Sequence, residues 1–99
     1  MASLSAAEVR HSMAAVPAWT RKKDRIEREF AFPDFPSAVR FVVRVARAAE
    51  EACHHPDIDI RWNRVRLSLT THDEGGLSER DFVLAARCDA LAARGRVRA

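Results

Sequence analysis

Apolar residues recur at three- and four-residue spacing in some stretches of the chain and at two-residue spacing in others, and the alternation between these periods predicts its elements. Ser5-Ala6-Ala7-Glu8 reads as a capping box, with a serine hydroxyl for the third helical amide and a glutamate reaching back, so a short helix is expected from there to about Ala15, before Pro17. From Trp19 to Phe32 the period falls toward two. Ile26, Phe30 and Phe32 fall on one side and Glu27 and Glu29 on the other, predicting two strands with a turn around Lys22–Asp24. Asp34 as N-cap and Pro36 in the first turn then open the strongest helical signal. Its expected apolar stripe is Phe35, Ala38, Val39, Val42, Val45, Ala46, Ala49 and Cys53, opposite Arg40, Arg44, Arg47 and Glu51.

Alternation returns with Ile58, Ile60 and Trp62, then Val65, Leu67 and Leu69, on two strands joined through Trp62-Asn63-Arg64, with Trp62 expected in the core. Ser78-Glu79-Arg80-Asp81 is a second capping signal for a helix through about Ala93, ended by Gly95 and the basic tail. The predicted order is α-β-β-α-β-β-α. It implies an α+β fold, a four-stranded antiparallel sheet covered on one face by helices, in one domain spanning residues 1–99. So small a sheet leaves edges; the Val65–Thr70 strand is the expected edge, and self-association through it is expected.

Composition narrows the function. A chain of 99 residues buries roughly 60–65% of its unfolded surface and supports one core. The 17 Lys and Arg are interspersed with 14 Asp and Glu, and no block of like charge suggests a nucleic-acid or membrane partner. The two cysteines, Cys53 and Cys88, follow no disulfide, zinc-ribbon or C-x-x-C spacing, and Cys88 is expected buried and inert in the last helix. The N-terminus lacks the apolar run of a signal peptide and nothing approaches transmembrane length, so a cytoplasmic location is expected.

The candidate chemistry lies in histidines. In Cys53-His54-His55-Pro56 the residue before proline is pushed out of the helical region, so the helix is expected to finish near Cys53 or His54 and the two imidazoles to diverge. Glu50, four residues before His54, is expected on its face as an orienting partner, and the helix terminus favours imidazolium by about 0.3–1 kcal/mol. His72 follows a strand and precedes Gly75-Gly76 and a helix start, a place where backbone amides are free to meet a small ligand. A zinc site of Cys53, His55 and His72 lacks a fourth ligand, so no metal is expected.

Taken in order, His54-His55-Pro56, Trp62-Asn63-x-Val65-x-Leu67-x-Leu69 and Thr71-His72-Asp73-x-x-Gly76-Leu77-Ser78-x-x-Asp81 resemble the pterin-4a-carbinolamine dehydratase family. Trp19 and the Phe30, Phe32, Asp34, Phe35 pattern agree, so the resemblance spans most of residues 19–91. It implies dehydration of 4a-hydroxytetrahydrobiopterin to the quinonoid dihydropterin, recycling the cofactor of an aromatic amino acid hydroxylase, with no cofactor of its own. It also implies site histidines His54, His55 and His72, the first and last as an acid/base pair and His55 mainly as a substrate contact. Glu50 and Asp81 would bind or orient, Trp19 would wall the flat pterin, and the chain would form a homodimer or homotetramer. Many relatives have an acidic residue where this chain has Cys53, which removes one possible charge partner of His54. An alternative that the resemblance leaves open is a non-catalytic interaction module, since animal members of the family also bind a transcription factor as a dimerisation cofactor.

Overall fold

In the computed structural model, which describes residues 3–97, the chain runs α1 (Ala6–Met13), β1 (Thr20–Lys22), β2 (Arg25–Ala31), α2 (Phe35–Ala52), β3 (Asp57–Arg61), β4 (Arg64–Leu69) and α3 (Glu79–Val97), the predicted order. Both arms of the first capping box form, the Glu8 amide donating to Ser5 Oγ at 3.1 Å and the Ser5 amide to Glu8 Oε1 at 2.8 Å. Asp34 caps α2 through the Ser37 amide (2.8 Å), and the Ser37 hydroxyl, with that amide, holds the Asp34 carboxyl below its ordinary value. Helix α3 runs past the expected end, through Gly95 to Val97, because one glycine costs a helix only about 1 kcal/mol after good helix formers such as Leu91 and Ala92. Arg98 and Ala99, the last of the basic tail, lie outside the described residues.

The four strands form one antiparallel sheet ordered β1-β2-β4-β3. Strand β4, expected at an edge, is therefore interior. Its inward residues Val65, Leu67 and Leu69 are fully buried, with Phe30 opposite Val65 and Ile26 opposite Leu69 on β2. The edge falls instead to β3. There Ile58 and Ile60 stay 38% exposed because no strand lies beyond them. Trp62 is not in the core either: it is 71% exposed, in the two-residue turn between β3 and β4, with a left-handed backbone (φ 55°). Its neighbour Asn63 ties that turn down, donating from Nδ2 to the Phe32 carbonyl at 2.8 Å.

The buried stripe of α2 is Ala38, Phe41, Val45, Ala48 and Ala49, rotated from the predicted one. Phe35 is half exposed, and Ala46 and Cys53 are exposed. Apolar residues occupy two overlapping three-four patterns in this helix, and the largest side chain selects between them. Phe41 stacks against Phe30 (ring centroids 4.8 Å) and Phe32 (5.0 Å), and a fully buried aromatic contributes about 1.5–3 kcal/mol. Helices α2 and α3 pack on each other over the inward face of the sheet. The outward face stays polar; there the Arg64 guanidinium beside Glu29 holds that carboxyl below its ordinary range. No helix among the described residues is long and apolar enough to cross a membrane.

Candidate active site

Helix α2 stops at Ala52, and Cys53 follows in the left-handed conformation (φ 52°, ψ 40°) that helix C-termini usually give to glycine. The Cys53 amide returns to Glu50 O and the His54 amide to Ala49 O (3.1 Å), the paired bonds of a Schellman turn. His54 is thus outside the helix rather than in its last turn as expected. The turn delivers it against the start of α3, where only 8% of its side chain remains exposed.

Here a buried cluster meets it. His54 Nε2 lies 2.6 Å from Asp81 Oδ1, and the Asp81 side chain is fully buried. The second carboxylate oxygen accepts from Thr71 Oγ1 at 2.8 Å and from the Ser78 amide at 2.9 Å. Thr71 has one hydroxyl hydrogen and spends it on Asp81, so the 2.8 Å contact between the Thr71 and Ser78 hydroxyls has Ser78 as donor. The second predicted capping box is consequently half formed. Asp81 accepts the Ser78 amide as a capping residue should, while the Ser78 hydroxyl turns to Thr71. Both Asp81 oxygens have partners, which a buried carboxylate requires. An ionised Asp81, acceptor only, satisfies all three donors. A neutral His54 ring that donates to Asp81 from Nε2 has a lone pair on Nδ1, through which it can take up and return a proton.

The other candidate residues are placed differently. Glu50 reaches His55, not His54: its Oε1 is 2.9 Å from His55 Nε2, and both side chains are mostly exposed. The cause is the break at Ala52, which cancels the one-turn spacing between residues 50 and 54. The acidic residue missing at position 53 therefore leaves His54 with a charge partner all the same, supplied by Asp81 from α3. His72 opens a single 3₁₀ turn (His72–Glu74) and is exposed; it makes no side-chain hydrogen bond within the described residues, although its chain neighbour Thr71 belongs to the buried cluster. Trp19 is 3% exposed and part of the core. Its indole donates to Asp89 Oδ1 at 2.8 Å and its ring meets Phe30 edge-on at 6.1 Å, so it offers no open wall to a flat ligand. Sequence reasoning names Thr71 only within the family-like motif and Ser78 there and as a helix cap, and gives neither a part in the site. What could have marked them is that both flank His72 within the same motif as Asp81.

Beside His54 lies a hollow of about 250 Å³ between the end of α2 and the start of α3, lined by Ala52, His54, Arg80, Val83 and Leu84 among others. Arg80 frames it by donating to the Cys53 carbonyl at 3.0 Å. Among the described residues no group of three or more His, Cys, Asp or Glu side chains is gathered to hold a metal ion.

Comparison with known proteins agrees on one family. The family model described as pterin 4 alpha carbinolamine dehydratase matches residues 2–91. A protein of Roseiflexus sp. (strain RS-1), named "Putative pterin-4-alpha-carbinolamine dehydratase", is 53% identical over 89% of this chain and 95% of its own length. One of the same name from Chloroflexus aurantiacus (strain ATCC 29366 / DSM 635 / J-10-fl) is 54% identical over 92% and 98%. Among solved structures, the transcriptional coactivator/pterin dehydratase from Brucella melitensis superposes with a TM-score of 0.88 at 34% identity, covering 91% of this chain and 98% of that one. A pterin dehydratase-like protein identified as a RuBisCO assembly factor in the alpha-carboxysome superposes at 0.62, with 29% identity over 75% and 86%.

Proposed function

Because the chain belongs to the pterin 4 alpha carbinolamine dehydratase family, we propose that it dehydrates 4a-hydroxytetrahydrobiopterin to the quinonoid dihydropterin, with His54 as its principal proton-exchanging group. The observation that carries this reading is the buried His54–Asp81 pair beside a hollow. Hydroxide is a poor leaving group, so the 4a oxygen must gain a proton as its bond to carbon breaks, while a ring nitrogen must lose one. An imidazole held by a carboxylate does such work near neutral pH, for about 10²–10⁴-fold in rate. His72, exposed one residue beyond Thr71, is the proposed second proton carrier. His55, paired with Glu50, is the proposed substrate contact. Asp81 acts through His54, being too deeply buried to meet the pterin itself.

On this reading the substrate comes from an aromatic amino acid hydroxylase, in the cytoplasm, and copies of the chain associate as a homodimer or homotetramer. The exposed Ile58 and Ile60 on β3, with Trp62 in the turn that follows, support that association. They also favour the second reading, an interaction module on the same fold, as do the names of the coactivator and assembly-factor relatives. The test is the loss of 4a-hydroxytetrahydropterin, generated in place by a hydroxylase and followed by ultraviolet absorbance. Wild type should accelerate it, and His54→Ala should lower turnover by about 10²-fold or more. A folded wild-type protein that leaves the uncatalysed rate unchanged would leave the interaction module as the surviving reading.

A further inference from the structure

The tip of the β3–β4 hairpin carries three local costs at once. Trp62, in the two-residue turn, leaves 71% of its surface in water. Its backbone is left-handed (φ 55°), a conformation that such turns normally give to glycine, asparagine or aspartate and that is an outlier for a bulky residue. Arg61 and Arg64, which flank the turn, stand directly opposite each other, and like charges so placed destabilise a strand pair. Chains break several local rules together mainly where a function needs it. The outward face behind the tip shows what that function would take. Among the described residues, three guanidiniums share two carboxylates there: Arg64 and Arg66 both reach Glu29, at 2.8 and 3.4 Å, and Arg61 reaches Asp59 at 3.3 Å. All five side chains are at least 40% exposed, so these pairs orient the guanidiniums and leave most of their N–H donors to other acceptors. Together the five frame a hollow of about 180 Å³. Small-molecule pockets run to roughly 300–1,000 Å³, so this one suits a single side chain of a partner. Three positive charges against two negative leave one, enough for a carboxylate and too few for a nucleic-acid backbone, whose binding depends on neutralising several phosphates.

We propose that the hairpin tip docks an acidic segment of a partner protein, one carboxylate entering the hollow between Arg61, Arg64 and Arg66 and a neighbouring apolar side chain covering Trp62. Tryptophan and arginine are the side chains that most often carry the energy of protein interfaces, and a guanidinium–carboxylate fork supplies direction as well as attraction. A contact this small is weak and sensitive to salt. Pairing of copies along β3 uses the backbone edge of that strand with Ile58 and Ile60, and leaves the arginines of the outward face open. The inference gives the interaction-module reading a partner of stated chemistry, and it does not depend on catalysis at His54.

The experiment is an NMR titration of uniformly ¹⁵N-labelled protein with a synthetic peptide of glutamates around a central leucine and phenylalanine. The two indole N–H signals supply an internal control. That of Trp62 should shift saturably at millimolar peptide, together with the amides of residues 61–66, while that of Trp19, buried and bonded to Asp89, should stay in place. Added salt should weaken the binding, and a peptide with glutamine in place of glutamate should not bind. Arg61→Gln and Trp62→Gly should each weaken it by about tenfold or more. Trp62→Gly also relieves the left-handed backbone, so its thermal midpoint should hold or rise while binding is lost, which separates a docking residue from a structural one. No saturable shift of the Trp62 indole, an equal shift with the glutamine peptide, undiminished binding in the two variants, or tighter binding to a single-stranded DNA of equal charge at the same salt would overturn the proposal. Turnover is measured on the same preparation. An active chain that ignores the peptide overturns the docking and leaves the dehydratase reading; a chain that binds the peptide but not the pterin does the reverse.

Discussion

His54 and His55 are adjacent in the chain, each has a carboxylate within hydrogen-bond distance, and the two pairs differ in almost every other respect. The His54 side chain is 8% exposed and faces an aspartate with no exposure at all, 2.6 Å away; the His55 side chain is 65% exposed and its glutamate 82%, 2.9 Å away. Distance does not separate them. Burial does, because a charge pair in water competes with hydration and salt and contributes about 0–1 kcal/mol, whereas a buried group that loses its partner has no water to replace it. The left-handed Cys53 produces the contrast: it folds His54 back toward α3 and leaves His55 on the way out to β3. One residue thereby gains a fixed orientation and its neighbour keeps freedom to meet whatever arrives.

Removing each carboxylate is the most severe way to break this comparison. Asp81→Ala strands the Thr71 hydroxyl, the Ser78 amide and His54 Nε2 in the interior, and should lower unfolding free energy by about 3–5 kcal/mol in urea titrations. Glu50→Ala should change it by less than about 1 kcal/mol. Similar losses for the two would mean that the cluster around Asp81 is as solvated as the pair on the surface, and the distinction drawn between the histidines would collapse.

The unequal legibility of the two regions in the sequence has the same origin. Element order could be read because helix and strand periods are local, and so could the caps of α1 and α2. The pairing of His54 with Asp81 spans 27 residues and exists only once α3 is docked; no periodicity encodes it, and the motif could name both residues without joining them. Glu50 shares a face with His54 only in a helix that continues through residue 54, and the end of α2 at Ala52 shifts the carboxylate to His55. Strand order was hidden for a related reason. Strands β3 and β4 alternate equally well, both with charged outward residues, so nothing local says which is covered on both sides. Trp19 and Trp62 exchanged their expected places because a turn residue and a strand-flanking residue look alike until the sheet is closed.

A smaller effect sharpens the role of the turn itself. A left-handed backbone costs an ordinary residue about 1–2 kcal/mol, and glycine avoids that cost while losing about 0.4–1 kcal/mol to a freer unfolded chain. Cys53→Gly should therefore stabilise the protein by about 0.5–1 kcal/mol, visible as a higher thermal midpoint, while Cys53→Ala, which keeps its Cβ, should not. Equal midpoints for the two variants would show that the turn placing His54 carries no strain. Wild type compared with either variant gives a labelling contrast. Exposed Cys53 should be the thiol that alkylating reagents find in the folded state, since burial pushes the Cys88 thiol up to about 12 and keeps it protonated.

The smallest expected effect lies at the opposite end of α2 and separates its start from its functional terminus. The Asp34 carboxyl is exposed and held below its ordinary value of 3.8 by the Ser37 hydroxyl and amide, so the folded protein binds its proton more weakly than the unfolded chain. The sign follows from linkage. The stabilisation is complete above the unfolded value, from about pH 5 upward, and is lost as pH falls through the lower folded value. The stability difference between wild type and Asp34→Ala should accordingly be flat from neutrality to about pH 5 and shrink below it, with the site at the other end of the helix unaffected. A difference that stays constant down to pH 3 would mean that the cap works as well protonated as ionised, and that charge contributes nothing to starting the helix whose far end delivers His54.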